Sequence, residues 1–207
     1  MKIGNMRSHV IKTAIFSLAF IVVSVAQGLS QFKAGEGLYV VVNFVPQECK
    51  AKVDGFYRVS KEGKVSFSFM DVQIAVDRGI EAVRVDLRKA IQHYCQQNFP
   101  TRGAFPDFEI VPEADVKKAG DGVMIMGQAR KPGVIPMKDG LTVHQAVQAA
   151  GGATNFSTTR HVAILRENKV IDCDLTKGES MKTLVKSGDL VYVPRKCFID
   201  ESEYSLH

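Results

Sequence analysis

The stretch from Gly127 to Gly152, GQARKPGVIPMKDGLTVHQAVQAAGG, leaves the chain little conformational freedom. Lys131-Pro132-Gly133 reads as a tight turn, because proline presets φ and glycine accepts a positive one. Thr142, followed three residues later by Gln145, is a capping box, in which side chain and backbone satisfy each other's first-turn groups. Val143, Ala146, Val147 and Ala150 then recur at i, i+3, i+4 and i+7, the buried face of a short helix. Gly151 and Gly152 stop that helix. Each of these residues has a backbone task, and no pair of them looks catalytic.

The flanking sequence completes a sheet. VMIMGQ at 123–128 and GVIPM at 133–137 are strands on either side of the turn. HVAILRE and VIDCDL join through Glu167-Asn168-Lys169, and Gly188-Asp189 leads into a last strand ending at Pro194. The order is β-β-α-β-β-β, a sheet with one helix across its face, which is a β-grasp arrangement.

The first half mixes strands and a helix. LYVVVNFV at 38–45 is β-branched and bounded by glycine and Pro46, so it reads as a strand. Runs at 56–60 and 64–69 flank Lys61-Glu62-Gly63 and predict a hairpin, with Val65, Phe67 and Phe69 alternating with Ser66 and Ser68. Residues 78–97 predict an amphipathic helix packed on that hairpin, burying Ile80, Val83, Leu87, Ala90, Ile91, Tyr94 and Cys95. A short strand follows at 108–111. The polar segment 111–122 marks the join between halves. The expected fold class is α+β, with one unit at 33–113, a β-grasp unit at 121–196 and a short polar tail at 197–207.

The first 28 residues carry Lys2, Arg7 and Lys12, no acid, and an apolar run at 14–26 that ends in small residues. This predicts a secretory signal, since the run falls short of the ~20 residues that span a bilayer. No cysteine follows the run, so a lipid anchor is not expected. Removing the segment takes the 27 basic residues to 24 against 22 acidic ones, a net charge of +2. Without a basic stripe, nucleic acid is not an expected partner.

Candidate chemistry is sparse. His93, His144 and His161 show no metal-ligand spacing, and Asp172 and Asp174 flank Cys173 without the glycine-turned loop of a calcium site. Hydrolase, zincin and phosphate-loop motifs are missing. Neither catalytic residues nor a metal nor a cofactor is expected, and no ligand-binding residue is assigned. The cysteines are Cys49, Cys95, Cys173 and Cys197, which fit no zinc pattern. Export would permit disulfides, in three connectivities, against small buried thiols as the alternative. A bridge between Cys173 and Cys197 would close a loop of about 25 residues and stabilise by roughly 3 kcal/mol.

Taken together, Gly127, Lys131, Pro132, Gly133, Thr142, Gly151, Gly152, Gly188 and Asp189 carry a resemblance. With the strand ending at Arg166, residues 123–196 resemble the soluble-ligand-binding β-grasp (SLBB) domain in both order and spacing. The first half is similar, more loosely, to the N-terminal domain of bacterial polysaccharide export proteins, with Ala34-Gly35-Glu36-Gly37 where that domain has Pro-Gly-Asp. The resemblance implies a periplasmic, ring-forming or adaptor component of capsule or exopolysaccharide export, peripheral to the outer membrane, and not an enzyme. Its implied partners are further copies of itself, the polysaccharide and an inner-membrane chain-length or export protein. Larger relatives add a second SLBB domain and a C-terminal helix that crosses the outer membrane, so an outer-membrane pore is not expected of this chain alone. Two other readings are a free periplasmic module that binds a soluble glycan or small ligand, and a polysaccharide-cleaving enzyme, which would need two carboxylates about 5–9 Å apart.

Overall fold

The computed structural model describes residues 32–67, 70, 72–76, 79–100 and 106–196. The expected signal segment, the polar tail and Cys197 lie outside the described residues.

The chain begins with β1 (Gly37–Asn43), in which every residue is buried. A two-residue period explains how one strand can be apolar from Leu38 to Val42. Leu38, Val40 and Val42 enter the first core, with Phe108 and Ile110. Tyr39 and Val41 point the other way, into a second apolar layer. A strand buried on both faces must also satisfy both of its edges. β1 does so with β2 (Gly55–Arg58) on one side and β5 (Asp107–Pro112) on the other, both antiparallel.

This pairing corrects the expected hairpin. Among the described residues, the run at 56–60 forms no strand ladder with the run at 64–69, of which Ser68 and Phe69 lie outside the described residues; it pairs with β1, Tyr39 opposite Phe56, and meets the second run through the Ser60 N–H to Lys64 carbonyl bond. Backbone bonds from Gly35 N to the Val59 carbonyl and from Val59 N to the Glu36 carbonyl hold it there. β3 (Lys64–Phe67) pairs instead with β4 (Val72–Ala75). Over Lys64–Phe67 the expected alternation is present, with Val65 and Phe67 buried and Lys64 and Ser66 exposed. The helix α2 (Ile80–Asn98) buries Val83, Leu87, Ile91 and Cys95 in the same core as Val65, Phe67 and Ile74. It therefore packs on a hairpin, formed by β3 and β4.

The sequence does not show the short helices, of which the first bears most on the core. α1 (Gln47–Val53) has only seven residues, too few to stand alone in water. It forms because Cys49, Lys50 and Val53 are buried against the core. Lys50 is 3% exposed. Its ammonium donates to the Val42 carbonyl at 2.8 Å and to Asp54 at 2.6 Å, and Asp54 accepts the Val42 N–H at 2.6 Å. The pair thus satisfies β1 just before Phe44, whose φ is 59°.

After a short α3 (Glu113–Lys117), the second half builds one five-stranded sheet. Its strands are β6 (Gly122–Gly127), β7 (Gly133–Pro136), β8 (Val162–Arg166), β9 (Lys169–Cys173) and β10 (Leu190–Val193), in the order β7-β6-β10-β8-β9. β6 and β10 run parallel and the other neighbours antiparallel. The helix α4 (Val143–Ala149) lies on one face with Val143, Ala146 and Val147 inward, and a short α5 (Gly178–Met181) precedes β10. The expected arrangement of a single main helix across a sheet is present.

The two halves share an apolar layer. Tyr39, Val41, Val111 and Val116 from the first meet Ala163, Leu165, Leu190 and Tyr192 from the second. β8 and β10 therefore work as β1 does, with alternate residues in the β-grasp core and in the shared layer. Tyr39 Oη also accepts the Asn168 N–H at 3.2 Å, across the boundary. Among the described residues, no helix is long and apolar enough to cross a membrane.

Candidate functional site

The residues of the Gly127–Gly152 stretch come together as a locked corner. Lys131 N donates to the Ala150 carbonyl and Arg130 N to the Gly152 carbonyl, both at 2.9 Å. The Lys131-Pro132-Gly133 turn is thereby fastened to the C-terminal end of α4, where Gly151 and Gly152 take φ of 79° and 80°. Thr142 completes its capping box: its side chain accepts the Gln145 N–H at 3.2 Å, and Gln145 Oε1 accepts the Thr142 N–H at 3.0 Å. Gly127 combines a φ of 79° with a close approach, since a Cβ there would run into the Val193 carbonyl oxygen. The corner is scaffold, and what it offers to solvent is the exposed Arg130 and Lys131.

Gly188 and Asp189 form a second knot. Gly188, at φ 81°, turns the chain into β10 and leaves Asp189 1% exposed. Asp189 accepts both arms of the Arg166 guanidinium, at 2.8 and 2.6 Å, and the Lys186 N–H at 2.6 Å. Arg166 also donates to the Leu184 carbonyl at 2.8 Å. The hydrogen bonds to Asp189 push the Arg166 pKa above its already high value, so the charge is permanent. The knot ties residues 184–189 to the end of β8. Its opposite charges are turned on each other, which fits a structural role.

Asp172 and Asp174 are not brought together as a pair. Asp172 meets His161 Nδ1 at 3.2 Å, while Asp174 accepts the Thr176 hydroxyl and N–H of its own turn. That hydroxyl is the main reason the Asp174 carboxyl lies below the usual range. Among the described residues, no three His, Cys, Asp or Glu side chains group as metal ligands. Cys173 is buried, and its expected partner Cys197 lies outside the described residues.

A polar groove of about 290 Å³ lies in the first half, lined by Arg58, Ser60, Glu62, Lys64, Ser66 and Gln73. Lys64 and Ser66 alternate outward on β3, and Ser66 is paired across the hairpin with Gln73 of β4. Arg58 enters from the end of β2, donating to the Gly35 carbonyl at 2.8 Å and lying 5.2 Å from the centre of the Phe56 ring. A hydrogen bond with Ser60 holds the Glu62 carboxyl below the usual range, so the groove presents a carboxylate beside two cations and three neutral polar side chains. Such a lining can hydrogen-bond hydroxyl-rich or charged ligands. The sequence shows the outward alternation of Lys64 and Ser66; it does not show that Arg58 and Gln73 converge on them.

No curated protein matches the chain. Residues 121–193 match the SLBB domain family, over the span that contains the locked corner, the Arg166–Asp189 knot and the mixed five-stranded sheet. Residues 121–193 thus form an SLBB domain.

Proposed function

We propose that the protein is a periplasmic component of capsule or exopolysaccharide export, acting as a ring-forming or adaptor protein with no chemistry of its own. The SLBB domain at 121–193 points to a ligand-binding or polysaccharide-associated role. The observation that carries the finer reading is the apolar layer joining this domain to the first half. It makes the two sheets one body, able to hold neighbouring copies at a fixed angle. β7 is an outer strand of its sheet, with Val134 51% exposed, and an outer strand is a template for pairing with another copy. The export setting and the partners come from the resemblance in domain order.

A second reading, a free module that binds a soluble glycan, draws on the polar groove at Arg58–Gln73. Deleting the gene separates the two. The export reading expects reduced secreted polysaccharide with lipid-linked precursors intact, and self-association in sedimentation across a concentration series. A strict monomer that binds free sugar, in a strain with normal secretion, would favour the soluble module.

A further inference from the structure

Cys49 and Cys95 are 46 residues apart in sequence, on α1 and α2, yet their sulfurs lie 3.2 Å apart. Both are fully buried in the core of the first half, which holds no other cysteine. A covalent S–S bond is about 2.05 Å long, so roughly 1.2 Å of approach separates the pair from a bridge. We propose that Cys49 and Cys95 form a disulfide that staples α1 to α2, and that it closes during folding in an oxidising compartment. That it forms in the cell rests on the export reading above; that the pair can form it rests on geometry alone.

The oxidant belongs to the class of thiol–disulfide exchangers. One cysteine thiolate attacks a sulfur of the exchanger's disulfide, forming a mixed disulfide and releasing one exchanger thiolate. The second cysteine thiolate then attacks the protein sulfur of that mixed disulfide and expels the other. The protein pair loses two electrons, the exchanger's disulfide gains them, and the two thiol protons end on the exchanger's sulfurs. The hydrogen bond with Cys49 holds the Cys95 thiol below its usual range against the opposing effect of burial, while the same contact and burial push Cys49 well up.

Burial gives the staple a direction in time. With both sulfurs inaccessible, an exchanger cannot reach them in the folded protein, so oxidation must precede final packing. The same burial then shields the bond from reductants. α1 is the element that gains most: it is short and has no side-chain N-cap.

The test refolds reduced, denatured full-length protein in a glutathione redox buffer, denatures it again without reductant in the presence of iodoacetamide to trap free thiols, and maps peptides without reduction. A Cys49–Cys95 crosslink is expected, with a melting temperature about 10 °C above that of the reduced protein. Cys49→Ala and Cys95→Ala should each abolish both the crosslink and the shift; the comparison of oxidised with reduced wild type needs neither variant to fold. Alkylation of both cysteines after refolding, or a crosslink with no gain in melting temperature, would overturn the staple. Protein taken from cells provides the other arm. A crosslink in refolded protein together with free thiols in cell-derived protein would leave the pair standing and count against export.

Discussion

Among the described residues, each half of the molecule has one ion pair with a fully buried member, Lys50 with Asp54 and Arg166 with Asp189, and the two are built in opposite ways. Lys50 and Asp54 are neighbours at i and i+4, beside each other in sequence, and together they grip the distant strand residue Val42. Arg166 and Asp189 are 23 residues apart, and their contact itself bridges the distance. The lysine is a point charge, so it needs surrounding acceptors and is sunk to 3% exposure. The arginine is a fork that matches a carboxylate in two places and keeps 16% of its side chain in water. A pair that is local in sequence can thus be the more deeply buried one, and the more costly to break. On an exposed helix, the Lys50–Asp54 spacing would contribute only about 0.3–0.5 kcal/mol.

The largest effect is expected for Lys50→Met, which keeps the length of the side chain and removes its charge. Asp54 would be left buried without a counter-charge, and destabilisation of about 3–5 kcal/mol is expected in urea unfolding. A loss below about 0.5 kcal/mol would make the pair equivalent to an exposed one and end the contrast.

Arg166→Lys should cost less, about 2 kcal/mol, because it keeps the charge and loses the second arm of the fork. Leu184 and Asp189 could then no longer be held together. Amide exchange should accelerate at Lys186, whose N–H bonds to Asp189, more than at Val42. Equal acceleration at both sites would show that the two knots are not independent.

Thr142→Ala tests the local signals of the SLBB half, and a loss of about 1 kcal/mol is expected in thermal unfolding. Thr142→Ser should restore most of it. Failure of serine to do so would place the effect in packing, not in the cap.

The smallest effect is the pH dependence of the carboxyls. Burial, outweighing Lys50 and Arg84 respectively, holds Asp54 and Glu109 above the usual range. Their folded pKa exceeds the unfolded value, so their contribution to stability is full below about pH 4 and is lost as pH rises through the folded values. A hydrogen bond with Lys117 holds Glu113 down, and Thr176 holds Asp174 down. Their contribution is present above the unfolded values and is lost as pH falls. The two windows lie on opposite sides of about pH 4, so stability should rise slightly as pH falls towards that value and be lost below it. Carboxyl NMR titration should find Asp54 and Glu109 protonating first on acidification, and Glu113 and Asp174 last. The reverse order would remove the contrast between acids governed by desolvation and acids governed by their hydrogen bonds.

The legibility of the two halves differs for the same reason as the two ion pairs. In the SLBB half, the Thr142 cap, the Gly151-Gly152 stop and the Gly188-Asp189 turn each act over four residues or fewer, so the sequence shows them directly. In the first half, the deciding contacts are remote. Residues 56–60 looked like a hairpin partner of 64–69 because the two runs are adjacent, and only the demand of β1 for two edges reassigned them. The candidate groove followed from that reassignment, since it places Arg58 of β2 beside Lys64, Ser66 and Gln73 of the separate hairpin.

What the sequence determined alone is what backbone chemistry determines alone: the periods of strands and helices, the turns that need glycine or proline, the cap, and hence the β-grasp half. What only the tertiary structure decided is which apolar faces meet. The sequence makes Tyr39 and Val41 apolar, as it does Leu165 and Leu190, but not that they face each other across two sheets. It contains Cys49 and Cys95 without placing their sulfurs side by side. Hydrophobic burial is non-directional, so an apolar pattern says that a face must be covered and leaves its partner to the packing of the whole chain.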